Sequence, residues 1–387
     1  FGANFPAMAR GLVAMFWYGA QTYAASTAVA LLITALTGNP GTEMFLGMTG
    51  VMWVSFIFVS AFQVYLFWQG IDLVRKFLNF AGPAVYVVMV ILMIAIWAEV
   101  GGSLLSEVGN IFSSGNRTGG FEGLGSFGAF LAVFSIMVGY FAAVVINFGD
   151  FARFVKNEEE MKKGNLYGLV GNVVFFSFIT LMITGGTIAL FGEYVAQPTD
   201  MVAKVDNIFL TIVAAFAFFA ATVGINMVAN FIPPAYDLAN LMPSKINFRT
   251  GGLITAAFGF VIGGMWVAVI TKMGIFPFVN TLGAILAPVF GIMITDYYII
   301  KKQKIDVNAL FNDGKGKYWY NDGFNLKGMV AWILSGYIAI GSVWPNILPG
   351  GLGNFFANLG GGGGYAWIIG ASLGAVVHLA ISSAGKK

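Results

Sequence analysis

The chain has no cysteine among its 387 residues, which excludes disulfides, thiolate-held zinc, iron–sulfur clusters and thiol catalysis. It has one histidine, His378, so a metal site built from several imidazoles is excluded too. Charge is scarce: Asp, Glu, Lys and Arg together make up 10% of the chain, against about 25% in an ordinary soluble domain. That is too little to clothe a water-facing surface, and it rules out a cytosolic enzyme and a nucleic-acid binder. The net charge of +3 is too small to point to a polyanionic partner. Hydrophobic residues fill 58% of the chain, with a mean hydropathy of +0.82. This is enough for roughly eleven membrane spans of about 20 residues each.

Ten long runs nearly free of charge stand out: 9–36, 48–69, 80–98, 127–148, 166–191, 207–232, 251–271, 276–300, 328–348 and 364–384. Each is long enough to cross a hydrocarbon core of about 30 Å as a helix. None alternates as the strands of a membrane barrel must, so an all-α polytopic membrane protein is predicted. Alternating sides from Arg10 places seventeen of the 20 Lys and Arg in one set of segments and leaves only Arg117, Lys204 and Lys272 in the other. Positive loops stay inside, so this split predicts both termini of the chain in the cytoplasm. Phe1 stands where a start methionine would, and no signal-peptide pattern precedes the first run, so we expect a chain lacking its natural N-terminus. Glu158 to Glu160 beside Lys162 and Lys163 read as a solvated connector, Gly360 to Gly364 as an exterior turn, and Asn116-Arg117-Thr118 as a chance glycosylation triplet.

Polar side chains at mid-bilayer are costly and are therefore the functional candidates. Trp17 and Gln21 share a helix face, about 10 and 16 Å in from Arg10. An indole beside an amide can stack on a flat ring and hydrogen-bond its edge. Gly139 and Tyr140 interrupt the fourth run about 16 Å in from Asp150, where a glycine permits a helix break. Asn226 and Asn230 share a face ahead of Pro233-Pro234, with Asn230 about 10–22 Å deep. Taken singly, each pair also suits plain helix packing. Together they describe a pocket for a small, planar, neutral, amide-bearing solute. No pair of carboxylates lies at that depth, so no enzyme activity is predicted. Asp150, Asp237 and Asp296 sit at cytoplasmic ends, suited to pairing with Lys or Arg, and His378 reads as a packing residue.

Several segments resemble the first nucleobase–cation symporter family, which includes hydantoin, allantoin and purine–pyrimidine permeases. They are Phe16-Trp17-Tyr18-Gly19-Ala20-Gln21, the stretch from Asn147 through Asp150 to Phe154, the stretch from Asn226 through Asn230 to Tyr236, and Gly291 through Asp296 to Tyr298. Tyr320 to Asn325 is similar to the allantoin branch. The resemblance implies the leucine-transporter type of fold: two five-helix repeats of inverted topology plus two further helices. The family has twelve spans, so the first two would be missing here. In one transporter domain over 1–387, segment 1–100 would be the remainder of the first repeat, 127–300 the second, and 328–387 the two peripheral C-terminal helices. It further implies that Trp17 stacks on the solute, Gln21 and Asn230 hydrogen-bond it, Gly139 offers backbone, Tyr140 covers the other ring face and Val279 forms an outer lid. Sodium-coupled members carry two hydroxyls where this chain has Gly224 and Ile225, with only Thr222 and the backbone of Ala221 nearby. Hard cations want oxygen ligands, so proton coupling is favoured over sodium.

The resulting expectation is a monomeric, multi-pass permease of the plasma membrane, with no cofactor and no nucleic-acid partner, importing a nucleobase or related cyclic amide by alternating access. The rivals are an amino-acid or other small-solute symporter on the same fold, or a non-transporting sensor. A carboxylate-bearing solute suits the Trp/Gln/Asn set less well than an uncharged ring.

Overall fold

The computed structural model describes residues 2–113, 124–153, 155–193, 195, 198–204, 207–310 and 316–384. The first helix, α1 (Asn4–Thr37), runs without a charge from Gly11 onward and stops at Gly38, whose left-handed backbone (φ 66°) turns its N–H back onto Thr34 O. A short antiparallel hairpin follows, β1 (Glu43–Phe45) and β2 (Met48–Thr49), the one pair of strands among the described residues. Leu46 and Gly47 both have positive φ, the geometry a tight two-residue hairpin needs. Thr49 then caps α2 (Gly50–Gln69), its hydroxyl accepting from Met52 N.

Next come α3 (Ile71–Val100), the short α4 (Ser103–Ser113), and α5 (Ser126–Tyr140), α6 (Ala142–Ile146) and α7 (Phe148–Ala152). The fourth apolar run is thus a broken helix. It breaks at Phe141, immediately after Gly139-Tyr140, where depth and glycine content had predicted it. The Asn116-Arg117-Thr118 triplet lies outside the described residues. The connector at Glu158 is helical, α8 (Glu158–Asn165), with exposed i,i+4 pairs Glu158–Lys162 (2.7 Å) and Glu159–Lys163 (2.8 Å). It passes through a π-helical turn into α9 (Asn172–Phe191).

After α10 (Pro198–Ala203), α11 (Ile208–Asn226) runs through a π-helical turn (Met227–Phe231) into α12 (Ile232–Leu241). Pro233 and Pro234 cause this: neither can donate to the turn before it, so the ladder loosens by one residue just ahead of them. Then α13 (Phe248–Gly264) bends by 53° into Trp266–Met273, which ends in α14 (Thr271–Met273). The rest is α15 (Ile275–Ile294), α16 (Val307–Leu310), α17 (Leu326–Val343), α18 (Leu352–Leu359) and α19 (Ala366–Ala384), the last two joined by the five-glycine turn. Among the described residues eight helical segments are long and apolar enough to cross a membrane. The other two predicted runs are the bent pair at α13 and the broken α5–α6.

Small residues let the helices meet. At the crossing of α1 and α13, a Cβ on Gly19 would lie 2.7 Å from Gly259 O, and one on Gly263 would lie 2.7 Å from Gly19 O. Gly139 and Gly283 bring α5 onto α15 in the same way: a Cβ on Gly283 would meet Gly139 Cα at 3.1 Å. Both crossings hold the motif residues on either side of them in register.

One end of the bundle is tied by charge. Arg10, 3% exposed, hydrogen-bonds Asp237 and donates to Pro233 O at 3.5 Å, and it stands 3.9 Å from Asp150. Asn147 donates to Asp150, and Arg153, itself stacked over Tyr236, lies 3.8 Å from it. The predicted pairing of the terminal carboxylates is therefore present, but Asp296 belongs to a separate cluster with Lys301 (2.5 Å) and His378 (3.5 Å). His378 is 1% exposed, as a packing residue should be, yet only Nε2 has a partner and Nδ1 has none among the described residues. Burial alone would lower the Lys301 ammonium, but the Asp296 carboxylate, and Tyr320 beyond it, hold it above the usual lysine range.

These contacts make two predictions. Gly19→Ala forces α1 and α13 apart and should cost about 1–3 kcal/mol, seen as a lower unfolding midpoint in detergent. Gly109→Ala, with open space around a Cβ in the middle of α4, should be neutral or stabilising by about 0.5–1 kcal/mol. Arg10→Ala strands Asp237 in a buried position and should cost about 3–5 kcal/mol, whereas Arg153→Ala, at a side chain 46% exposed, should stay within about 1 kcal/mol. Equal midpoints for the Arg10 and Arg153 variants would mean that the buried pair carries no more weight than a surface one.

Candidate functional site

Trp17 and Gln21 lie one turn apart on α1, and the apolar ring and the amide meet different neighbours. Trp17 is 6% exposed and touches Tyr140 edge-to-face, with ring centroids 4.8 Å apart at 70°. It meets Phe278 similarly at 5.4 Å and 74°, and Phe278 in turn meets Trp266 at 5.5 Å. Val279, 4% exposed, lies in the same buried cluster as Trp17, Ala20 and Ile136. Tyr140 closes the end of α5 at the helix break and is 39% exposed. Gly139 is spent on the tight crossing with Gly283. Among the described residues nothing accepts a hydrogen bond from the buried Trp17 Nε1. A buried N–H without an acceptor is costly and marks a place that awaits one.

The amide side is fully connected. Asn230, 5% exposed in the π-helical turn, donates through Nδ2 to Gln21 Oε1 at 3.1 Å and to Asn226 Oδ1 at 3.0 Å. Asn226 Nδ2 faces Gln63 Oε1 at 2.8 Å, Thr22 Oγ1 at 3.1 Å and the carbonyl of Tyr18 at 3.1 Å. Gln63 Nε2 donates to Thr22 Oγ1 at 3.0 Å. Thr22, Gln63 and Asn226 are at most 1% exposed. Three helices, α1, α2 and α11, are thereby joined by a chain of side-chain amides in a region with no water to substitute for them.

The structure therefore brings together Trp17, Gln21, Tyr140, Asn230 and Val279, with Gly139 adjoining. It also adds residues that sequence reasoning did not single out: Phe278, Thr22 and Gln63. The signal for Gln63 was present as the one carboxamide in the interior of the apolar run 48–69, Gln69 standing at its end. Phe278 carries no such signal, being one of 38 phenylalanines. Of the four positions of the expected cation region on α11, two are placed away from this site. Gly224 faces α3, where a Cβ would lie 2.8 Å from Leu78 Cδ2; Ile225 is 51% exposed; Ala221 and Thr222 are half-buried.

Residues 1–370 match the family model described as a permease for cytosine/purines, uracil, thiamine, allantoin. The chain is 32% identical over 353 residues to an allantoin permease of Bacillus subtilis, covering 90% of this chain and 70% of the relative. It is 26% identical to a purine–uracil permease of Arabidopsis thaliana, covering 88% of this chain and 56% of the relative. A hydantoin permease of Microbacterium maritypicum is 27% identical, with 90% and 67% covered. Among solved structures, the nucleobase-cation-symport-1 transporter Mhp1, closed around bromovinylhydantoin, superposes with a TM-score of 0.70 at 22% identity over 99% of this chain and 76% of that one. Its inward-facing conformation scores the same. The fold is that of this transporter, of the leucine-transporter type expected. A match over nearly the whole sequence, an identity above 30% to a curated permease and a shared multi-span fold agree: the chain belongs to the family of permeases for cytosine and purines, uracil, thiamine and allantoin, multi-span membrane transporters rather than enzymes.

Proposed function

We propose that the protein is a secondary active transporter that imports a flat, uncharged cyclic amide of the allantoin, hydantoin or uracil kind across the plasma membrane, with both ends of the chain in the cytoplasm. The observation that carries this reading is the buried Trp17 ring standing one helical turn from the amide couple Gln21–Asn230. A flat ring with polar edges answers both. Its face lies against the Trp17 indole, its carbonyls and N–H groups meet the amides, and each such bond contributes about 0.5–1.5 kcal/mol net. No charged side chain belongs to that set, so a neutral solute suits it better than an amino acid. The B. subtilis and M. maritypicum relatives, named for allantoin and hydantoin, point to the same chemistry.

Trp17 and Tyr140 touch edge-to-face at 4.8 Å. Holding a ring between them requires about 7 Å, two van der Waals contacts of about 3.5 Å. Tyr140, half out of the core at a helix break, is the ring able to move aside, while Trp17 sits fixed in the body of α1. Solute entry is thus coupled in this reading to a shift of the broken helix, the kind of element on which alternating access turns. Val279, beside Phe278, closes the far side. The domain division stays as the resemblance implies, with 1–100 in the first repeat, 127–300 as the second, and 328–387 peripheral. The active unit is a single chain. Proton coupling is preferred over sodium: Gly224 is packed under Leu78 and Ile225 turns outward, so neither side chain brings an oxygen to a hard cation.

Uptake of labelled allantoin, uracil and hydantoin by the full-length protein tests this reading. Trp17→Ala should abolish transport of any true substrate, and unchanged uptake would remove stacking from the mechanism. In the wild type, a protonophore should collapse accumulation while replacing sodium at fixed pH should leave it unchanged; the reverse pattern would overturn the preference for protons.

A further inference from the structure

The chain of amides behind the site has a direction. Its fixed point is the main-chain carbonyl of Tyr18, which can only accept. Thr22 Oγ1 donates to it at 2.7 Å, and Asn226 Nδ2 faces it at 3.1 Å. With its proton committed there, the Thr22 oxygen must accept, and Gln63 supplies a donor through Nε2. Gln63 consequently turns its oxygen to Asn226 Nδ2. The two amide hydrogens of Asn226 are consumed on this side, so its oxygen points to Asn230 and takes a hydrogen from Nδ2. The other Asn230 hydrogen goes to Gln21 Oε1. No freedom remains: what the pair can offer a solute is the oxygen of Asn230 and the nitrogen of Gln21, one acceptor and one donor. Because the inner members are buried, no water can reverse the order.

We propose that Asn226 is a positioning residue that sets the hydrogen-bond polarity of the site, so that it selects solutes carrying a ring N–H beside a C=O, with the N–H on Asn230 and the C=O on Gln21. This inference rests on the transport reading and deepens it to a requirement for a cyclic amide or ureide edge. A solute whose ring nitrogen is methylated would turn a carbon toward an oxygen already facing the site, leaving a buried acceptor unpaired. Sites built to bond a polar group reject analogues that lack it far more strongly than they reject a change in size.

The test uses full-length protein in proteoliposomes and whichever of labelled allantoin, uracil and hydantoin is taken up. Competition by the unlabelled parent is compared with competition by its singly N-methylated analogues. In the wild type, at least one methylation should raise the inhibitory concentration about tenfold or more. Asn226→Leu frees the Gln21–Asn230 pair to flip as a unit and should bring parent and methylated competitors within about threefold. Asn226→Ser, whose hydroxyl can turn either way, should do the same in a smaller side chain and serves if the leucine variant does not fold. Loss of packing alone would weaken all competitors together and leave their ratio unchanged. A wild type indifferent to methylation at every ring nitrogen, or a folded Leu or Ser variant with the full wild-type ratio, overturns the proposal while the transport reading stands. If the wild type takes up none of the three solutes, the transport reading fails and this proposal falls with it.

Discussion

A polar side chain inside a bilayer has no water to fall back on, and every donor and acceptor there must find its partner in the protein. In this chain the constraint falls on five side chains, Gln21, Thr22, Gln63, Asn226 and Asn230, drawn from three helices. Each satisfies the next, and the series ends on a main-chain carbonyl. The helices that carry them are held together by direction-dependent bonds rather than by apolar contact alone. That matters in lipid, where apolar contact distinguishes poorly between one helix and another. The amide wall of the proposed site is a by-product of this self-consistency: only the last members of the series, Gln21 and Asn230, keep an uncommitted group.

The opposite wall is built differently. Tyr140, Trp17, Phe278 and Trp266 form an edge-to-face series. Aromatic edge contacts are worth about 0.5–1.5 kcal/mol beyond their buried area, little enough for a solute to displace. Tyr140 also stands at the end of α5, where the helix ladder is interrupted at Phe141. One side of the proposed site is therefore tied by hydrogen bonds, and the other is held by contacts that cost little to rearrange. A transporter needs that asymmetry, since a site rigid on every side could bind but not pass its cargo along.

At the end of the bundle, Arg10 joins α1 to α12 through Asp237 and approaches Asp150 on α7. The Pro233-Pro234 pair contributes to both ends of this arrangement. By loosening the helix into a π-turn it positions Asn230 for the amide series, and the carbonyl of Pro233 becomes a further acceptor for Arg10. A single sequence feature thus shapes the site and its anchorage.

Local pattern alone determined a good deal: the membrane character, the long apolar helices, eight of which can cross a membrane among the described residues, the break after Gly139, and the faces on which Trp17, Gln21, Asn226 and Asn230 lie. These follow from hydropathy and from the 3.6-residue period, which depend only on neighbours in the chain. The hairpin at Leu46-Gly47 was not foreseen, because nothing about Leu46 announces a positive φ. Only the tertiary structure decided which polar groups meet. Arg10 finds Asp237 across 227 residues and Asn226 finds Gln63 across 163, and it is the same packing that turns Gly224 and Ile225 away from the site. Helical periodicity says which way a side chain points on its own helix; which helix it then faces is settled by how closely the glycines let the backbones approach.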